Sequence, residues 1–204
     1  MKRLLTVLAI AALTMWGSTV QATPVIDFGT GLAGPGGTIV QTADGVTGSG
    51  ILLGSMTAIG TGADGVYLLT GNGVGGVLPP NPGVLNFTFG AGLPNFIEVV
   101  GGVADLGIDT TQLLAGTFTS FSFGEEAGVF RFNGTGTNTV SPLLLSALGI
   151  TADSPFVFTG WSLETRNLIA YSTDLSTTVP EPGSLLLLGA GLLGLAGVVR
   201  RRTR

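Results

Sequence analysis

The chain has 204 residues, with twelve Asp and Glu against eight Lys and Arg, and neither cysteine nor histidine. Those absences exclude disulfides, Cys/His zinc sites, Cys–His and Ser–His nucleophilic pairs, and imidazole general bases. Between Asp27 and Glu181 all twelve acids stand against only Arg131 and Arg166, a charge balance that repels phosphate backbones and excludes a nucleic acid partner.

In chain order, Lys2 and Arg3 precede an apolar run at 4–16, and Val20-Gln21-Ala22 supplies the small residues that a signal peptidase reads. This predicts a signal peptide over residues 1–22, cleaved after Ala22. The run is shorter than the roughly 20 residues of a bilayer helix, which argues against an uncleaved anchor.

Residues 23–174 read as one acidic, Gly-rich domain. Glycine supplies 35 residues and apolar types 45% of the chain, too apolar a composition for disorder. Short apolar runs fall at 25–28, 38–42, 51–59, 66–70, 84–89, 96–100, 117–123, 129–132, 156–163 and 168–172. Several alternate as strands do: Leu85, Phe87 and Phe89 share one face, as do Phe121 and Phe123, or Phe130 and Phe132. Ala63-Asp64-Gly65, the proline-rich stretch at 79–83 and Asn133-Gly134 read as turns between them. The predicted fold is all-β, a β-sandwich or jelly-roll-like body. Two short helices are expected within it. Ser141-Pro142 and the leucines after it, closed by Gly149, form one; Asp109 with Gln112, closed by Gly116, forms a weaker second.

After a polar linker at 175–182 comes Pro180-Glu181-Pro182, then residues 183–199, from Gly183 to Val199, without a charge, then Arg200, Arg201, Arg202 and Arg204. At about 1.5 Å per residue the uncharged run makes a helix of roughly 25 Å, at the short edge of a transmembrane span. The prolines set its outer boundary, and the arginines at 200–204 form a basic cytoplasmic tail. Gly189, Gly191, Gly194 and Gly197 suit close packing of that helix against another.

The order of tripeptide, Gly-Leu-rich span and terminal arginines resembles the PEP-CTERM sorting signal. The resemblance covers about the last 26 residues and implies recognition by exosortase, a membrane enzyme that cleaves near the motif, in a Gram-negative source. It implies an exported body, held first at the inner membrane and then delivered to the cell surface or an exopolysaccharide matrix. A plain single-span anchor is the alternative reading of the same residues.

Candidate chemistry in the body is sparse. Gly71-Asn72-Gly73-Val74-Gly75-Gly76 has dinucleotide-site spacing, but Pro79-Pro80 follows where a helix would have to open. A second such match, at 189–194, lies inside the membrane run. Glu98, Glu125, Glu126 and Glu164 are the carboxylates that could form a glycosidase pair, although no spacing among them demonstrates it. Asp44-Gly45, Asp64-Gly65, Asp105 and Asp109 offer oxygens for calcium without a ligand-loop spacing, so no cofactor or metal site is assigned. Asn86-Phe87-Thr88 and Asn133-Gly134-Thr135 match the N-glycosylation pattern and read as strand and turn residues. Trp161 and Tyr171 could stack on a sugar ring, or belong to core and rim. The reading is an exported structural or adhesive protein rather than an enzyme, with a carbohydrate-binding module and, behind it, a carboxylate glycosidase as alternatives.

Overall fold

The computed structural model describes residues 23–71, 73–74, 79, 81–151 and 156–179. The signal segment, Pro180-Glu181-Pro182, the span at 183–199 and the arginine tail lie outside the described residues, as does part of the glycine motif at 71–76. Among the described residues no helix is long and apolar enough to cross a membrane.

The body is all-β. Its strands are β1 (Val25–Gly29), β2 (Thr38–Gln41), β3 (Gly45–Leu53), β4 (Ser55–Ile59), β5 (Gly65–Leu68), β6 (Gly83–Gly90), β7 (Phe96–Val103), β8 (Ile108–Glu126), β9 (Val129–Val140), β10 (Phe156–Arg166) and β11 (Ile169–Thr178), with one helix, α1 (Pro142–Ala147). Instead of the two separate sheets of a sandwich, the strands form one antiparallel sheet in the order β10-β9-β8-β7-β6-β3-β2-β11-β1-β4-β5, and β10 also pairs with β11. Closure occurs at β11. One edge of it runs along β10; the other is divided, pairing Asp174–Thr178 with β1 and Ile169 with Thr38 of β2. A sheet joined in this way leaves few free edges for unwanted pairing.

Alternation explains which side of each strand is inside. Ile26 and Phe28 are fully buried and Asp27 between them faces out; Leu85 and Phe87 are fully buried from β6. The core is aromatic: the rings of Phe87 and Trp161 are 4.6 Å apart, Phe118 and Phe158 meet edge to face at 5.4 Å, and Phe89 stacks on Phe121 at 4.4 Å. Each such pair contributes about 0.5–1.5 kcal/mol beyond area burial. Trp161 is 1% exposed, and its indole N–H donates to Thr173 Oγ1 at 3.2 Å.

Three local expectations are corrected. Asn133-Gly134 is not a turn but mid-strand in β9, because a side chain at Gly134 would stand 2.7 Å from a ring carbon of Phe118. Gly136, two residues on, likewise leaves room for the ring of Phe158. The helix expected from Asp109 is strand β8, whose 108–116 segment pairs with β7; Gly107, at φ +68°, makes the tight connection between them. Residues 175–178, read as linker, complete β11, with Leu175 and Thr177 fully buried. The helix after Ser141 forms as expected, with Pro142 in its first turn and Gly149 at φ +65° just beyond its end.

Candidate functional site

The long hairpins β8–β9 and β10–β11 bring four neighbouring strands to one wall. Inward positions take the aromatic residues, so period two leaves short polar side chains on the outer face. Register aligns them: Ser122 lies opposite Asn133, Asn133 opposite Ser162, Ser162 opposite Asp174, and Asp174 opposite Gly29 of β1. A hollow of about 400 Å3 lies over this row, lined also by Thr135 and Ser176. A neighbouring hollow of about 470 Å3, lined by Gly31, Pro35 and Tyr171, shares Asp174 with it. At Gly160, which lines the first hollow, a bulge interrupts β10, and a Cβ placed there would meet no atom within 4 Å.

Asp174 is exposed, but Asp27 beside it is half-buried on β1, where its Oδ1 is shielded from solvent without a hydrogen-bond partner. Burial first, then the hydrogen bond and the charge of Asp174, push the Asp27 carboxyl up to about 7. Near neutral pH the Asp27 carboxyl is therefore partly protonated, because a half-buried acid resists ionising next to another carboxyl.

The carboxylates singled out in the sequence go elsewhere. Glu98 accepts from Asn86 and Gln112 on the β6–β7–β8 wall, at 3.1 and 2.8 Å. Glu126 and Glu164 are both held by Arg131, at 3.2 and 2.8 Å, and Glu125 is exposed at the end of β8. Asp64 accepts from the backbone N–H and hydroxyl of Thr61, which hold its carboxyl below the ordinary value. Among the described residues no three acids converge to hold a metal. Of the two aromatic candidates, Trp161 belongs to the core, while Tyr171 is half exposed with the Arg166 guanidinium 4.8 Å over its ring. The pair missed in the sequence is Asp27 with Asp174. The alternation Ser172-x-Asp174-x-Ser176, matched by Ser120-x-Ser122, signals that Asp174 faces outward but does not point to Asp27.

Compared with protein families, residues 178–202 match the PEP-CTERM protein-sorting motif. The matched span includes Pro180-Glu181-Pro182 and begins at Thr178, the last residue of β11. The motif marks an exported protein that is a target of exosortase. No curated protein and no solved structure matches the chain.

Proposed function

We propose that this exosortase target is a structural or adhesive protein of the cell surface or extracellular matrix, and that its body binds rather than catalyses. In this reading the signal at 1–22 is removed after Ala22, and the segment at 183–199 spans the inner membrane with Arg200, Arg201, Arg202 and Arg204 inside. Exosortase then acts around Pro180-Glu181-Pro182 to release or transfer the body.

The observation that carries the address is the motif at residues 178–202, which starts where the folded body's last strand ends. Adhesion is favoured over hydrolysis by the disposition of the acids. A glycosidase holds its two carboxyls roughly 5–10 Å apart across the sugar, whereas Asp27 and Asp174 are hydrogen-bonded to each other and Glu126 and Glu164 are bridged by Arg131.

The test is intact mass of the protein from envelope and medium, in wild type and Glu181→Ala. The expected mature species starts at Thr23 and lacks the tail beyond the Pro-Glu-Pro region, and the variant keeps the tail. A wild-type protein that retains Arg204 would refute exosortase processing and leave a permanent anchor.

A further inference from the structure

We propose that the outer face of β8–β11 is a binding track for an uncharged polysaccharide, lying across the strands from Ser122 to Asp174 and on toward Tyr171. The inference rests on the reading of the body as a surface adhesin and names the ligand of the groove.

The dimensions suit a chain rather than a single small molecule. Four strands at about 4.8 Å spacing set the row from Ser122 to Asp174 at roughly 14 Å, and the hollow containing Tyr171 continues it, because both share Asp174. The hollows, at about 400 and 470 Å3, fall in the size range of ligand sites.

The chemistry is that of polyol recognition. Serine hydroxyls, the Asn133 amide and the Asp174 carboxylate together present donors and acceptors, as the hydroxyls of a sugar require. Among the described residues, no side-chain hydrogen bond occupies Ser122, Asn133, Ser162 or Ser176, so these groups are free to exchange water for ligand. Tyr171 adds a half-exposed ring at one end for stacking.

Charge selects against other ligands. Arg131 is paired with Glu126 and Glu164, and Arg166, which keeps its charge, lies over the Tyr171 ring at the far end of the track rather than over the Ser122–Asp174 row. The Ser122–Asp174 row itself presents the negative charge of Asp174, which disfavours anionic glycans and phosphates there. An extended peptide is disfavoured for a different reason. β9 and β10 are paired on both sides, as is Asp174–Thr178 of β11, so the middle of the track offers no backbone ladder for strand addition; beyond Gly116 the outer edge of β8 is open, since that part pairs with β9 alone.

Gly160 makes the proposal testable without disturbing the fold. Gly160 lines the hollow, a Cβ added there meets no protein atom within 4 Å, and the position requires no left-handed backbone. The full-length chain, solubilised in a detergent without a sugar headgroup, is run through native gels containing hydroxyethyl cellulose, dextran, galactomannan or, as the anionic control, alginate. Retardation by at least one neutral polymer and none by alginate is expected. Gly160→Trp should weaken that retardation by about tenfold or more, the loss that follows when one or two hydrogen bonds to the ligand go, with thermal stability unchanged. Asn133→Ala and Ser162→Ala should each weaken it several-fold.

Failure of all three neutral polymers to retard the wild type overturns the proposal, and so does undiminished retardation of a folded Gly160→Trp. The mass of the tail, read on the same preparations, keeps the two readings separate: processed protein without glycan binding refutes the track alone, and glycan binding by a protein that keeps Arg204 refutes the sorting alone.

Discussion

Replacing Asp27 by Asn should stabilise the body, and increasingly so as pH rises. The folded-state pKa of about 7 lies above the ordinary 3.8, so between those values the native state binds more protons at this site than the unfolded chain does. Stability from the protonated carboxyl is therefore fully present below about pH 4 and is lost as pH rises through about 7. A difference of about three pH units corresponds to about 4 kcal/mol at 1.36 kcal/mol per unit. Asp27 is only half-buried, and solvent screening reduces that to about 2 kcal/mol. Asparagine keeps the shape and the hydrogen bond to Asp174 without the ionisation. Urea unfolding of the two proteins across pH 4 to 8.5 should show near-equal stability at pH 4 and an advantage of about 2 kcal/mol for Asp27→Asn above pH 8. At roughly 2–4 °C per kcal/mol for a domain of this size, melting would shift by about 6 °C. A stability difference that does not change with pH, or a variant less stable at pH 8, would refute the raised pKa of Asp27.

Other perturbations probe the packing. Gly136→Ala would drive a methyl group into the backbone carbonyl of Thr117 and the ring of Phe158, and a loss of about 1–3 kcal/mol is expected in thermal melts. Trp161→Phe removes the donor to Thr173 Oγ1 along with packing volume beside Phe87, and should lower stability by about 1–3 kcal/mol. Leu168 holds φ +61° at the β10–β11 turn while its carbonyl accepts from the Ile39 N–H at 2.9 Å. Leu168→Gly relieves that conformation and should raise stability by about 1 kcal/mol in chemical denaturation.

Period two in the apolar residues made most strands legible, and the spacing of Leu85, Phe87 and Phe89 already gave the inner face of β6. Local turn chemistry misled at Asn133-Gly134, since a glycine that opens space for an aromatic ring carries the same letter as one that turns the chain. Asp109 and Gln112 have the spacing of a helix cap, yet pairing of the 108–116 segment with β7 overrides that weak propensity. The groove was less accessible still. Thr30 bonds Thr173 across 143 positions, and Asp27 meets Asp174 through the same β1–β11 pairing, which no local pattern announces. The glutamates stand out as chemically able groups, whereas Asp27 and Asp174 lie at opposite ends of the body and come together only through the sheet. The tail was legible for the opposite reason: its signal is linear order along the chain and needs no folded partner.

The divided pairing of β11 bears on how the chain is made. A polypeptide that stops short of 169–178 leaves β1, β2 and β10 each short of one of their two neighbours, exposing backbone of the kind that seeds aggregation. The same shortened chain also lacks the residues that address it, since the sorting motif starts at Thr178. Completeness and destination are thus written into one stretch. An interrupted product is both open and untagged, whereas a finished one closes and carries its tag together, so the envelope can separate the two without inspecting the body at all.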